Sequence, residues 1–223
     1  MCGRFEIHSA IEIIARVFQI DDVTFDIKPS YNIAPSQDVL VVKNDGKKNC
    51  LVSCRWGFVP SWSRELKTGY SMINARAETV ATNSTFSEAF LNMRCIVPAD
   101  GFFHWKKEGT KKSPWYVRLK SGDPMGFAGL CSNWTSPEGE GICTFTIITT
   151  DANFLLAPIH PRMPVIIPEN DYGLWLDPAI HDQETLCALL TPYPSDQMDL
   201  YPVTAKVNSF KYNDPENIRP VAA

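Results

Sequence analysis

The strongest constraint on this chain is that its apolar runs are short and are broken by turn residues throughout the 223 residues. None of the runs approaches the roughly 18 residues that a membrane-spanning helix needs. Seventeen prolines further limit long helices, because proline interrupts helical hydrogen bonding. We therefore predict an α+β fold in which a curved, mostly antiparallel sheet or open β-barrel carries peripheral helices.

Strands are predicted where such runs lie between turn signals. The clearest hairpin joins 38–42 to 50–58 through Asn44-Asp45-Gly46, a sequence typical of tight turns. Further strands are predicted over 94–98, 101–107, 114–120, 125–134, 142–149, 165–167 and 201–207.

Helices are predicted at the periphery. Ser9 and Glu12 have the spacing of a capping box, which predicts a short helix after Ser9. Other helices are predicted over 84–93 and 151–157, with two more within 169–200. The chain has no internal repeat and no long Gly/Ser linker, so we expect a single domain over residues 1–223.

The seven cysteines are odd in number and sparse. This count favours reduced thiols in a cytosol over a disulfide scaffold. The first residues lack a basic segment leading into an apolar stretch, so we expect no secretory signal and a cytoplasmic protein.

Charge is unevenly distributed along the chain, which has a net charge of −4. Residues 169–200 hold seven acidic side chains and no Lys or Arg, so the remainder carries an excess of three positive charges. Residues 100–120 alone hold six basic and two acidic groups. A basic face of this kind is compatible with nucleic acid, although a solvated hairpin is the commoner cause of such a cluster.

Cys2 is the most informative candidate for chemistry. Removal of Met1 would leave an α-amine and a thiol on one residue, with ordinary pKa values of about 7.7–8.0 and 8.5. Such a pair can attack an aldehyde twice, forming an imine and then a five-membered thiazolidine. The same thiol could act as an acyl-transfer nucleophile, or Cys2 could be an incidental small residue.

Four further polar residues are candidates. Asn74 offers a donor and an acceptor, and Arg76 could hold a phosphate or pair with Glu78. His104 lies on a predicted strand, and His160 lies between prolines in a loop; either could move protons near neutral pH, or His104 could be a satisfied strand histidine.

Aromatic residues next to cations suit unpaired bases, and Trp56, Phe58 and Trp62 lie near arginines. They could equally be core residues. Cys50 and Cys54 lack a second pair at zinc-finger spacing, so we expect no metal and no cofactor.

Seven motifs together resemble the SOS-response-associated peptidase (SRAP) family. They are Met1-Cys2-Gly3-Arg4-Phe5, Tyr31-Asn32-Ile33-Ala34-Pro35, Trp56-Gly57-Phe58-Val59-Pro60, Ile73–Thr79, Ala99-Asp100-Gly101-Phe102-Phe103, Trp105-Lys106-Lys107 and Ile159-His160, in the family's order. The resemblance implies a sensor of abasic sites in single-stranded DNA that forms a thiazolidine crosslink through its N-terminal cysteine.

By this resemblance Cys2 is the nucleophile, Asn74 orients it or the sugar, and His160 assists ring opening. Arg4 and Arg76 would hold phosphates, Pro35 and Trp62 would pack on neighbouring nucleotides, and Arg162 would be a nearby basic contact. The expected partner is single-stranded DNA with abasic sites. We expect a monomer without a membrane association, located at the nucleoid if the source is bacterial.

His104 is the main departure from the family, which usually has a glutamate between Phe103 and Trp105 as its acid–base group. We expect crosslinking to survive at an altered rate and with a different pH optimum. Two alternatives stay open. One is a thiol peptidase with an N-terminal nucleophile, acting on peptide bonds in general or on its own Met1–Cys2 bond alone; the other is a non-catalytic reader of single-stranded or modified DNA.

Overall fold

The structure is a computed structural model that describes residues 2–21, 23 and 28–221. Strands dominate it, and the four α-helices of the described part are short. The strands are β1 (Phe5–Ile7), β2 (Ser30–Ile33), β3 (Asp38–Asn44), β4 (Asn49–Trp56), β5 (Asn74–Arg76), β6 (Arg94–Ala99), β7 (Gly101–Glu108), β8 (Lys111–Leu119), β9 (Met125–Thr135), β10 (Gly141–Asp151), β11 (Arg162–Pro164), β12 (Ile166–Ile167) and β13 (Met198–Pro202). The helices are α1 (Ile11–Val17), α2 (Ser87–Asn92), α3 (Tyr172–Leu176) and α4 (Gln183–Ala188).

Five strands form an antiparallel sheet in the order β13-β8-β7-β1-β2. Its centre is the β7–β8 hairpin, in which Gly101 faces Arg118 and Glu108 faces Lys111. Strand β1 pairs with β7, so that Phe5 lies opposite Phe102. This pairing places the beginning of the chain alongside β7.

The second sheet closes into a barrel. Strands β10, β4, β3, β6 and β9 follow one another, and β9 pairs back to β10. The β4–β10 pairing is parallel, whereas the other pairings of the ring are antiparallel. Strands β5, β11 and β12 attach to this ring. The prediction of an α+β fold with a mostly antiparallel sheet or barrel is confirmed, with the barrel closed rather than open.

The apolar faces of both sheets and of α1–α3 pack into one large core. Phe5, Phe102 and Phe127 meet edge to face with ring centroids less than 6 Å apart. Burial of large aromatic side chains of this kind is a main source of folding free energy. No helix in the described part is long and apolar enough to cross a membrane.

Two helix predictions are wrong in detail. Ser9 does not cap α1; its hydroxyl donates to Asp100, and Ala10 occupies the N-cap position without a side-chain hydrogen bond. Residues 154–159 form turns instead of a helix. The predicted helix over 84–93 is shorter, at Ser87–Asn92, and the two helices expected in the acidic segment are present.

The predicted strands match the structure except at the last one. Strand β13 covers Met198–Pro202, and the chain then turns into a 3-10 helix over Ala205–Asn208. The expectation of reduced thiols is also wrong for one pair, because Cys54 and Cys143 form a disulfide that links β4 to β10. Their Cα atoms lie 4.7 Å apart on paired strands, close enough for the bond to form.

Candidate active site

Cys2 lies beside β7 at the edge of the core. The Phe103 amide donates to the Arg4 carbonyl at 3.0 Å, so the chain from Phe5 back towards Cys2 runs alongside Phe102 and Phe103. The Cys2 side chain is fully buried. Burial raises the pKa of its thiol to about 12, and the thiol is therefore protonated at neutral pH.

His104 and His160 are in contact where the two sheets meet. Their rings stack with centroids 4.5 Å apart and an interplanar angle of 7°. His104 belongs to β7 of the antiparallel sheet, whereas His160 precedes β11 of the barrel sheet. Phe102 contacts His104 edge-on at 5.4 Å, which fixes the ring from the core side.

Burial governs the charge of this pair. His104 is 1% exposed, and burial lowers its pKa well below the usual value, with His160 adding to the effect. Burial also lowers the pKa of the half-buried His160. Both rings are therefore neutral near pH 7, which avoids both the burial of a charge and repulsion between two cationic rings. Nε2 of His104 has no hydrogen-bond partner among the described residues.

His160 is oriented by the backbone that follows it. Its Nδ1 lies 3.1 Å from the Arg162 amide nitrogen and 3.0 Å from the Arg162 carbonyl oxygen. One tautomer accepts from the amide, and the other donates to the carbonyl. Either contact fixes the ring plane against His104.

Asn74 projects from β5, where it lies opposite Ile147 of β10. Its Nδ2 donates to the Ile73 carbonyl at 2.9 Å and to the Ile147 carbonyl at 3.4 Å. Its Oδ1 is buried and has no hydrogen-bond partner among the described residues. An unpaired buried acceptor is costly, and the role predicted for Asn74 in orienting Cys2 or the sugar stays a prediction.

A cavity of about 560 Å³ opens over the histidine pair. It is lined by His104, Trp105, Lys107, Lys112, His160 and Asn208. Both lysines come from the β7–β8 hairpin, where Lys107 lies directly opposite Lys112. The hairpin that the sequence marked as basic therefore places two exposed cations at the mouth of the cavity.

Arg4 is anchored next to this cavity. Its Nη1 donates to Asn32 Oδ1 at 2.6 Å and to the Val207 carbonyl at 2.9 Å. The guanidinium carbon lies 5.9 Å from the centroid of the Trp105 ring, a favourable position for a cation over an aromatic face. Its Nε is buried without a partner among the described residues.

Asn32 is a site residue that our sequence analysis did not single out. It is 1% exposed, and its Nδ2 donates to the carbonyls of Ser209 and Tyr212 while its Oδ1 accepts from Arg4. It thereby joins the beginning of the chain to the segment near residue 210. The sequence feature that could have identified Asn32 is its position within the Tyr31–Pro35 motif.

The two remaining arginines differ sharply. Arg76 is exposed at the end of β5. Arg162 instead forms a bidentate ion pair with Glu78 at 2.5 and 3.0 Å and contacts Asp151 at 2.8 Å. The alternative in which Glu78 pairs with Arg76 is replaced by this pairing. The role of Arg162 as a nucleic-acid contact stays a prediction, and its guanidinium is already engaged.

The aromatic candidates separate by exposure. Trp56 and Phe58 are core residues at 1% and 2% exposed, whereas Trp62 is 71% exposed. Pro35 is half-buried next to the end of β2.

Two glycines are in close contact at the base of the loop that carries Trp62. A Cβ on Gly57 would lie 2.7 Å from the Gly69 carbonyl oxygen, and Gly57 has a φ of +135°. Neither position tolerates a side chain.

Two groups of side chains in the described part could in principle hold a metal, and both lie outside the cavity. One is Glu6, His8 and Asp100 on the antiparallel sheet; the other is Cys54, Cys131 and Cys143 in the barrel. In the first group the two carboxylates are occupied by hydrogen bonds from Tyr116, His8 and Ser9. The cavity itself is lined by imidazole, indole, ammonium and amide groups.

Fold and site define a barrel protein with a buried cysteine at its beginning, a neutral histidine pair and a basic cavity mouth. Residues 1–210 match the family described as SOS response associated peptidase (SRAP), and the chain belongs to that family. It is 45% identical to the abasic site processing protein YoqW of Bacillus subtilis over 98% of this chain and 99% of YoqW.

More distant relatives preserve the similarity. The abasic site processing protein YedK of Escherichia coli is 32% identical, over 99% of this chain and 100% of YedK. The protein HMCES of Xenopus tropicalis is 30% identical, over 85% of this chain and 65% of HMCES. A crystal structure of a Bacteroides thetaiotaomicron protein superposes with a TM-score of 0.87, at 28% identity, over 99% of this chain and 100% of that one.

Proposed function

We propose that this protein senses abasic sites in single-stranded DNA and joins them covalently through Cys2. The observation that carries the proposal is the neutral His104–His160 stack over a basic cavity, on the strand beside which the buried Cys2 lies. Relatives that share nearly the whole chain carry the name abasic site processing protein. Met1, which must be removed first, lies outside the described residues.

The buried thiol sets the order of the steps. Because burial raises the pKa of Cys2 to about 12, its thiolate is scarce at pH 7, and the α-amine attacks first. The amine adds to the aldehyde carbon of the ring-opened deoxyribose and one water leaves, giving an imine. The thiol sulfur then bonds to the imine carbon, and its proton passes to the nitrogen. One water is lost in total, and no oxidant is needed.

His104 is suited to the proton transfers. Its ring is neutral because burial lowers its pKa, and its unpaired Nε2 can accept a proton from the amine or thiol. The glutamate that the family usually has at this position would supply a negative charge to a protonated imine. A neutral imidazole supplies none, so the rate and pH dependence should differ while the bond-forming steps stay the same.

The surface of the protein offers contacts that suit a single strand. Lys107 and Lys112 offer positive charge to phosphates at the cavity. Beyond the residues that line the cavity, Arg76 offers an exposed guanidinium and Trp62 an exposed ring on which a base can stack. Arg4 is rigidly held by Asn32, which suits a positioned phosphate contact.

Intact-protein mass spectrometry with a single-stranded oligonucleotide containing one abasic site tests the proposal. The expected product is Met-free protein plus oligonucleotide less one water, stable to heat. Cys2→Ser keeps the amine but loses the thiol, so it should give only an adduct that borohydride must trap. An oligonucleotide with a tetrahydrofuran analogue, which has no aldehyde, should give no adduct.

Other outcomes favour the alternatives. A Met-free protein that binds the oligonucleotide without any adduct would make it a non-catalytic reader. Because Cys2→Ala also keeps the α-amine, a heat-stable adduct that forms equally well with Cys2→Ala and without borohydride would show that the thiol takes no part in the bond. Release of Met1 that depends on the Cys2 thiol in the purified protein would support the self-processing peptidase.

A further inference from the structure

Three cysteines from three strands meet inside the barrel. Cys54 lies on β4, Cys131 on β9 and Cys143 on β10, and their sulfur atoms all lie within 4.8 Å of one another. The sulfurs of Cys54 and Cys131 are 4.0 Å apart, and Cys54 is bonded to Cys143. The proposed reaction at Cys2 makes no use of this cluster.

Closure of the barrel creates this arrangement. Cys131 lies opposite Phe145 on the β9–β10 hairpin, and Cys143 lies opposite Asn133, so the two cysteines are separated along the hairpin. Strand β4 approaches β10 from the other side in parallel, with Arg55 opposite Thr144. Cys54 thus reaches both sulfurs because its strand borders β10 while its side chain points into the ring.

The distances suit a thiophilic cation once the disulfide is reduced. A metal with sulfur at about 2.3 Å in tetrahedral or trigonal geometry separates its ligand sulfurs by roughly 3.8–4.0 Å. The Cys54–Cys131 pair already has this separation. Reduction converts the remaining S–S bond to two thiols whose side chains can rotate apart on fixed strands.

We propose that the reduced thiols of Cys54, Cys131 and Cys143 form a binding site for a thiophilic d10 cation such as Zn²⁺ or Cd²⁺. Binding deprotonates the three thiols, releases three protons and forms three metal–sulfur bonds. The disulfide seen here is the closed, oxidised state of the site. Opening it takes two electrons and two protons from a dithiol reductant.

Burial is the second reason for this assignment. Cys54 and Cys131 are 1% and 0% exposed, and thiolates in such a place are strongly disfavoured unless a cation neutralises them. Cys143 is half-buried and gives the ion a route from solvent. Cys95 extends the sulfur cluster, since its buried thiol hydrogen-bonds with Cys131.

Native mass spectrometry and absorbance titration of the reduced full-length protein with Cd²⁺ test the proposal. We expect one Cd²⁺ per chain and a thiolate-to-metal charge-transfer band. Cys143→Ser should weaken binding by about 100-fold or more, because loss of an outer-shell partner alone costs roughly 10–100-fold. Cys50→Ser is the control, since Cys50 lies on β4 with Cys54 but outside the cluster; it should bind as the wild type does.

The oxidised wild-type protein gives a test without any substitution. With the Cys54–Cys143 disulfide intact, verified by peptide mapping, stoichiometric Cd²⁺ binding should disappear and should return on reduction. The proposal is overturned if the reduced wild type binds no stoichiometric Cd²⁺. It is overturned equally if Cys143→Ser binds as tightly as Cys50→Ser does, or if the oxidised protein retains the metal.

Discussion

His104 is the residue at which this chain departs from the usual sequence of its family. Where the family usually has a carboxylate, this chain holds a ring that is 1% exposed and stacked 4.5 Å from a second ring. Two cationic rings at that separation would repel, and burial disfavours the charge of each. Under the proposed function, His104 therefore acts as a neutral base, and the pH dependence of crosslinking follows from that state.

Replacing His104 with Gln should remove the base and keep the shape of a polar side chain. We expect the single-turnover crosslinking rate to fall by roughly 10²–10⁴-fold, the range for loss of general acid–base catalysis. Affinity for the tetrahydrofuran analogue should stay within about threefold, since the ring is buried behind the cavity. A variant that crosslinks at the wild-type rate would exclude His104 from the chemistry.

His104→Glu should crosslink faster than His104→Gln does, and its rate should depend on pH differently from that of the wild type. Burial lowers the pKa of the histidine, whereas the same burial would raise the pKa of a carboxyl group. The acid limb of the rate profile should therefore lie below the ordinary histidine pKa of about 6.5 in the wild type and above the ordinary glutamate pKa of about 4.3 in the variant. Rates measured across the pH range in a constant-ionic-strength buffer check this. A wild-type limb at or above the ordinary histidine value, or a variant limb at or below the ordinary glutamate value, would contradict it.

Asn32 has a structural role at the candidate site, because it holds neighbouring groups by hydrogen bonds. Asn32→Ala removes four hydrogen-bonding contacts, to Arg4, Val207, Ser209 and Tyr212. Since buried partners left unsatisfied cost about 1–3 kcal/mol, the free energy of unfolding should fall by at least that amount in urea titrations. Asn92→Ala, at an exposed helical position, should change it by less than about 0.5 kcal/mol.

At the scale of elements, the hairpins were predictable because their signals are local. Asn44-Asp45-Gly46 gives the β3–β4 turn, where Gly46 adopts a φ of +93°. The helix predictions that were wrong concern residues that hydrogen-bond to partners distant in the sequence. Asp100 accepts from the amides of both His8 and Ser9, which occupies the residue that the local pattern assigned to a helix cap.

The segment after β10 illustrates the same limit. Its spacing suggested a helix over 151–157, but Asn153 accepts from the Leu156 amide and donates to the Tyr193 carbonyl. These contacts hold the segment as turns and leave Phe154 91% exposed. A partner forty residues away cannot be read from a local pattern, and neither can the His104–His160 stack.

The arginines at the ends of β5 and β11 should differ in salt dependence. Arg76→Ala should reduce the slope of log affinity against log salt by about one unit, because a free guanidinium on phosphate releases a counterion. Arg162→Ala should leave the slope unchanged, since its charge is balanced by Glu78 and Asp151. Fluorescence anisotropy with an abasic-analogue single strand at several salt concentrations compares the two.

An equal loss of slope in both variants would show that Arg162 leaves Glu78 and binds phosphate in the complex. Glu78→Gln is then informative, because it would release Arg162 and should strengthen binding. If neither arginine changes the slope, the phosphate contacts lie elsewhere, with Lys107 and Lys112 at the cavity mouth as the remaining basic side chains there.

At the scale of the whole molecule, the buried histidine couples stability to pH. The unfolded His104 has a pKa of about 6.5, whereas burial lowers the pKa of the folded one. Below pH 6.5 the unfolded state takes up a proton that the folded state refuses. The free energy of unfolding should therefore decrease as pH falls, by at most about 1.4 kcal/mol per pH unit from this group.

Urea titrations of the wild type and His104→Gln between pH 7.5 and about 5 measure this contribution as a difference. The difference removes the opposing effect of Glu6, whose pKa is raised mainly by burial. The variant should lose less stability on acidification than the wild type does. Parallel curves for the wild type and His104→Gln would contradict a buried neutral His104.

The contact between Gly57 and Gly69 has a consequence for engineering. Because Phe58, Val59 and Pro60 after Gly57 are buried, only residues 61–68 of the loop can vary without reaching the core. Under the proposed function, that stretch can be treated as an exchangeable cassette, in which the exposed Trp62 is one choice among many side chains. Libraries of sequence and length grafted over residues 61–68 should then redirect base preference while leaving the barrel as it is.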